Sequence, residues 1–209
     1  MDRSFKGVGK LSRKLLAILA ITGMLLPGIA VSNDVYVEQV GSGSTISITQ
    51  EGTGNEAGNS TDSLYIGDGS NTVTIDQIGD SNTLAMTVNG SATSATINTT
   101  GSNNTQTVTC GTQSSASCAG STITQTVTGD SNIITQNLGS GANHTSNITV
   151  TGDTNTITHT STATGTTSMN ATVSGNLNTV GVTQSGMTTQ NVTINSTGNS
   201  NSITVNQSN

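Results

Sequence analysis

The amino-acid sequence predicts an all-β chain: a β-solenoid of about seven strand–turn–strand rungs, each 22–23 residues long, with two parallel sheets facing each other. Three observations predict it. Glycines recur at near-regular intervals, apolar and polar residues alternate with period two between them, and an asparagine stands three residues after alternate glycines. Alternation reads as strands with one buried face, and a fixed period of this size reads as a stacked repeat.

The leader comes first. Lys6, Lys10, Arg13 and Lys14 precede an apolar run from Leu15 to Leu26, which Pro27-Gly28 breaks. Gly28-Ile29-Ala30 then offers small residues at a cleavage position, with Ser32 as a second candidate. The run is short for a bilayer span, so residues 1–30 are expected to be a signal peptide and 33–209 the folded body. All five Lys and Arg lie in that leader, and of eleven acidic residues only Asp2 does, which leaves ten in the body. Nucleic-acid binding rests on cationic side chains neutralising phosphates, so it is not expected. Export and an extracellular location are.

The body has no Trp, only Tyr36 and Tyr65 as aromatics, and a predominance of Thr, Ser, Asn and Gly. Such a chain buries too little apolar area for an ordinary globular core, so its order must come from repeated backbone pairing. Counting back six, four and two positions from successive glycines gives Val35/Val37/Gln39, Ile46/Ile48/Gln50, Val73/Ile75/Gln77 and Leu84/Met86/Val88. The series continues with Ser146/Ile148/Val150, Met169/Ala171/Val173, Val180/Val182/Gln184 and Val192/Ile194/Ser196. These positions are expected to face inward. Gln39, Gln50, Gln77 and Gln184 would be buried amides, tolerable only if paired with like amides in adjacent rungs.

One class of turn carries Gly-x-x-Asn: Gly52/Asn55, Gly79/Asn82, Gly101/Asn104, Gly129/Asn132, Gly152/Asn155, Gly175/Asn178 and Gly198/Asn201. Their glycines are 27, 22, 28, 23, 23 and 23 residues apart. Glycine supplies positive φ at the corner, and asparagine can donate and accept along a column of equivalent turns. The two long intervals place insertions near residues 56–62 and 110–118. Cys110 and Cys118 bracket the second, which in an exported chain suggests a local disulfide.

No catalytic constellation or cofactor motif is visible, and the chain is not expected to be an enzyme. His144 reads as a turn residue and His159 as a strand residue, both at the surface and without neighbouring ligands. Asp80, Asp130 and Asp153 follow turn glycines and read as turn formers whose charge discourages lateral stacking; calcium bridging is the weaker reading. Outward Thr72/Thr74, Thr122/Thr124 and Thr156/Thr158 offer a rival function, a monomeric adhesin or ice-binding protein using Thr-rich faces.

The segments Gln50-Glu-Gly52-Thr-Gly-Asn55-Glu-Ala57 and Gln77-Ile-Gly79-Asp-Ser-Asn82, with the half motifs Gln39-Val-Gly41 and Gln184-Ser-Gly186, resemble curlin, the subunit of bacterial curli fibres. Later units depart from the pattern by replacing the inner Gln with Val, Thr or Ser. The resemblance implies a functional-amyloid subunit, self-associating end to end on the cell surface, with roles in adhesion and biofilm. It also implies an outer-membrane secretion channel and a nucleator as partners. Addition is expected at the strand edges of the first and last rungs, Val35–Gln50 and Ser202–Asn206.

Overall fold

A computed structural model describes residues 31–59, 64–67, 69–90, 92–110, 118–139 and 143–209. The expected signal peptide, residues 1–30, lies outside the described residues. The chain coils as stacked levels, each crossing two sheets. The first level is β1 (Asp34–Val35) and β2 (Val37–Gln39) on one sheet and β3 (Thr45–Glu51) on the other. The second holds β4 (Glu56–Ala57), β5 (Leu64–Ile66) and β6 (Thr72–Ile78), and the third β7 (Thr83–Val88), β8 (Ser94–Ala95) and β9 (Thr99–Thr100). The fourth holds β10 (Thr105–Cys110), β11 (Thr122–Ile123) and β12 (Val127–Thr128). Then come β13 (Ile133–Leu138) with β14 (Thr145–Thr151), β15 (Thr156–Ser161) with β16 (Thr167–Ser174), and β17 (Thr179–Ser185) with β18 (Gln190–Thr197). An eighth level on the first sheet is β19 (Ser202–Ser208).

Every pairing is parallel, and register passes from level to level without a slip; Gln136 lies beside His159 and His159 beside Val182, for example. The alternation read from the sequence becomes the wall of a narrow core. Ile75, Leu84, Ile97, Val108, Ile123, Ile134, Ile148 and Ile157 are fully enclosed, while intervening threonines such as Thr83, Thr105, Thr122 and Thr149 are exposed. Two apolar clusters result, one running from Ala57 to Leu138 and the other from Val127 to Val192 and Ile194.

The turn glycines are required by the stacking itself. Gly129 has φ 126°, and a Cβ there would strike the carbonyl oxygen of Gly152 one level on. Two residues later the chain needs αL, supplied by Ser81, Asn103, Ser131, Thr154, Leu177 and Ser200 at φ near 58–59°. The backbone ladder repays that strain, as where Ser131 N donates to Ser102 O at 2.9 Å.

The two insertions fall within levels two and four, between β4 and β5 and between β10 and β11, and the structure corrects their edges. Glu56 and Ala57, expected inside the first insertion, are strand β4, paired with Thr83 and Leu84. Pairing with the neighbouring levels holds through Gly58, whose N–H reaches Leu84 O at 2.8 Å, and is present again at Leu64, whose N–H reaches Tyr36 O at 2.7 Å. Residues 60–63 and 111–117 lie outside the described residues, as does the side chain of Cys110. The backbone of Cys110 is the last position of β10, in register with Leu138. Cys118 is fully buried, and its N–H donates to Asn89 O at 2.9 Å.

Candidate functional site: the turn ladders and the polar seam

The Gly-x-x-Asn turns stack into one continuous column. Asn82 donates its backbone N–H (3.1 Å) and Nδ2 (2.9 Å) to Asn55 Oδ1, and the same pair of bonds links Asn104 to Asn82. It recurs from Asn132 to Asn104, Asn155 to Asn132 and Asn178 to Asn155, at 2.9–3.1 Å. Each Nδ2 also reaches forward to the next turn glycine: Asn55 to Gly79 O and Asn82 to Gly101 O at 2.7 Å. Asn104, Asn132, Asn155 and Asn178 reach Gly129, Gly152, Gly175 and Gly198 O at 2.8 Å. A primary amide has two donors and an acceptor with two lone pairs, and this geometry uses all of them. Gly52 precedes Asn55 at the first such turn. Asn201 closes the column: its N–H donates to Asn178 Oδ1 at 2.9 Å and its Nδ2 to Thr197 O at 3.3 Å, and among the described residues nothing donates to its Oδ1.

The motif search missed the first member. Asn33 Oδ1 accepts Asn55 N at 2.9 Å, and Asn33 stands 22 residues before Asn55, so the period itself was the available signal. A second, outer column was missed too. Asp80 Oδ1 accepts Thr53 N at 2.8 Å and Asp130 Oδ1 accepts Ser102 N at 2.7 Å. Asp153, Asn176 and Asn199 Oδ1 accept Asp130, Asp153 and Asn176 N, each at 2.8 Å. The two bonds from Thr53, backbone first and hydroxyl second, hold the exposed Asp80 carboxyl below its ordinary pKa. Here the three aspartates act as turn acceptors. Among the described residues no three His, Cys, Asp or Glu side chains gather as a metal site would need.

The inward glutamines divide. Gln50 Nε2 donates to Gln77 Oε1 at 2.7 Å, and Gln184 Nε2 donates to Gln207 Oε1 at 3.1 Å. Gln39 shares register with buried Ile66 but is exposed, because it stands on the first described level with no strand beyond it; the expectation that it is buried is corrected. Midway along the coil another set takes over. Gln136 donates to Gln125 Oε1 at 3.0 Å, Gln125 to Gln106 Oε1, and Gln106 to Thr99 Oγ1, crossing between the sheets at each step. Gln106 and Gln136 keep the period-two phase when read forward from Asn104 and Asn132; counting back from glycines passed over them.

The histidines are also corrected. Both are fully buried, not at the surface. His144 occupies the second corner, its N–H on Ser121 Oγ at 3.0 Å and its Nδ1 beside Thr167 Oγ1. His159 Nε2 meets Gln184 Oε1 at 2.9 Å and Nδ1 meets Ser146 Oγ at 3.3 Å. Gln184 Nε2 is committed to acceptors, so its Oε1 must accept. Neutral His159 therefore carries its proton on Nε2 and accepts a hydrogen bond from the Ser146 hydroxyl at Nδ1. This hydroxyl–imidazole pair is sealed within the core, where no substrate can reach it. Burial, opposed by the Gln184 bond and reinforced by repulsion from His144, lowers the His159 pKa from 6.5 to about 4.

Two predictions follow from these bonds. Asn132→Ala removes a fully used buried amide and is expected to cost roughly 2–4 kcal/mol in denaturant unfolding, whereas Asn201→Ala, at the open end, costs less than about 1 kcal/mol. Acid is expected to weaken the fold. The unfolded chain takes a proton on His159 near 6.5 and the folded chain only near 4, so stability is full above that window and falls as pH drops through it. The loss amounts to roughly 3 kcal/mol. His159→Gln should flatten that part of the pH profile, and an unchanged slope would contradict the assignment.

Comparison with known proteins places one segment of the coil. Residues 30–52 match the family model described as the curlin associated repeat. The matched span takes in β1, β2 and β3 and ends on the turn glycine Gly52, so it covers one turn of the coil. No curated protein matches the chain, and no solved structure does. The first turn of this solenoid is thus the part similar to the curlin associated repeat, and the stacked levels beyond it continue the same inward and outward pattern.

Proposed function

We propose that this chain is an extracellular structural subunit of a curli-like fibre at the cell surface, a functional amyloid built by end-to-end stacking of solenoids. One observation carries the reading: the asparagine ladder runs the length of the described coil, glutamine pairs stand at its two ends, and both stop on open partners. Among the described residues nothing donates to Asn201 Oδ1 or to Gln50 Oε1, and no strand pairs with the outer edges of β3, β18 or β19. Such edges template addition of another chain. Charge favours one polarity. Asp34, Glu38 and Glu51 lie on the first level, while no Asp or Glu follows Asp153, so head-to-tail contact avoids opposing like charges. The curlin repeat at residues 30–52 supports the same reading. Export through residues 1–30, an outer-membrane channel, a nucleator, and a role in adhesion and biofilm belong to this proposal. The protein's chemistry on this view is assembly, with no catalytic step.

Purified protein diluted from denaturant is expected to pass from monomer to fibres with a meridional spacing of about 4.8 Å, and preformed fragments should shorten the lag. A protein that stays monomeric, ignores seeds and lacks that spacing overturns the proposal. It would leave the outward threonines, Thr72/Thr74 and Thr122/Thr124 on the second sheet and Thr156/Thr158 on the first, as the surface for an adhesin or ice-binding role.

The proposal includes a Cys110–Cys118 disulfide. It would close the second insertion at its base, tying the end of β10 to a buried residue that is itself held by the Asn89 carbonyl. Non-reduced protein should yield no alkylated thiol; two alkylated cysteines contradict the bridge.

A further inference from the structure

We infer that successive copies in the fibre are rotated by half a turn about the fibre axis, so that the first sheet of one subunit continues the second sheet of the next. The inference rests on the fibre reading above. Its premise is a count: the described coil has eight levels on the sheet that ends in β19 and seven on the sheet that ends in β18. Continuing the coil past β19 puts the next strand over β18, not over β19. A second copy that enters there lays β1 and β2 on the edge of β18, and its β3 on the edge of β19. The two sheets of the coil run in opposite directions, and a half-turn about the axis restores parallel pairing at both edges.

The coil already makes this join internally. The corner residues Asn132, His144, Asn155, Thr167, Asn178, Gln190 and Asn201 are 12, 11, 12, 11, 12 and 11 residues apart, so each half-turn is the structural equivalent of the next. Both kinds of corner also use one hydrogen bond. Thr93 N donates to Asn71 Oδ1 at 3.0 Å in the second corner as Asn104 N donates to Asn82 Oδ1 at 3.0 Å in the first. In the rotated join Ser44 N falls over the open Asn201 Oδ1. The apolar columns meet as Val35 on Val192, Val37 on Ile194, Ile46 on Ile203 and Ile48 on Val205.

The amide column keeps its polarity as well. Gln184 Nε2 donates forward to Gln207 Oε1 and Gln50 Nε2 donates forward to Gln77 Oε1. Gln207 then lies under Gln50, whose Oε1 is the open acceptor. The unrotated alternative sets Asn33 on Asn201 and Gln39 on Gln207, but it leaves one level of the second sheet empty at each junction. The facing edges of β18 and the next β3 then stand about 10 Å apart, twice the strand spacing. Two favourable side-chain contacts do not replace a strand's length of backbone ladder and the cover over Val192, Ile194, Ile46 and Ile48.

Cysteine pairs read the join directly, because residues on adjacent parallel strands lie within disulfide reach. Thr45, Asp34 and Ser202 are all exposed. Fibres of the Thr45→Cys/Ser202→Cys variant should oxidise to a covalent ladder of multimers, and fibres of Asp34→Cys/Ser202→Cys should not. Helical reconstruction of unmodified fibres should give a rotation near 180° and a rise of about 36 Å per subunit. Cross-linking through Asp34 instead of Thr45, with a rotation near zero, overturns the half-turn join and leaves the fibre intact. Protein that forms no fibres overturns both.

Discussion

The rest of the structure depends on one constraint: each level must present its backbone N–H and C=O groups to the next level at the strand spacing. Seven successive asparagines meet that constraint at the turn, from Asn55 to Asn201, and Asn33 begins the series. An amide in this column is enclosed on both sides, so its polar atoms would be costly without partners. Identity along the column supplies them, because what each Asn donates its neighbour is placed to accept. Glycine at the preceding position follows from the same closeness. The carbonyl of the next turn occupies the space a side chain would need.

Where identity lapses, the fold turns to bonds across the core. On the second sheet the column that starts Gln50, Gln77 continues as Thr99, Val127, Val150 and Val173, so a vertical amide ladder cannot persist. Gln106, Gln125 and Gln136 instead link the two sheets diagonally, close to where the two apolar clusters meet. His159 follows one level later, in register with Gln136. The strands are also interrupted here, where Asn98 and Thr126 adopt positive φ at levels three and four. Buried polar groups in such a seam specify which levels lie together, at the expense of hydrophobic burial.

A coil of this kind has an unusual relation between fold and assembly. The contacts between levels inside one chain are of the type a second chain could make with its edges, since a solenoid interacts only with its nearest neighbours. Closed folds bury their edges; this one repeats the same edge at every level. The Asp80, Asp130 and Asp153 carboxylates keep the outer turn negatively charged without a compensating cation on any described residue. On the fibre reading, charge would oppose lateral packing at that turn and leave axial packing free.

Alternation of Val, Ile and Leu with Thr and Ser determined the strands, because a side-chain period of two is a property of the extended backbone. The spacing of Gly-x-x-Asn determined the number of turns, since only glycine fits the close carbonyl approach and only an amide serves a column from both sides. These are local requirements repeated many times, and repetition makes them legible. The tertiary structure decided what repetition does not encode. It placed Gln39 in the open and His144 and His159 inside, because burial depends on which level a residue occupies and on what covers it. It paired glutamines across sheets whose sequence separation follows no period. Among the described residues it also fixed eight levels against seven, a difference that belongs to the path of the coil and not to any one repeat.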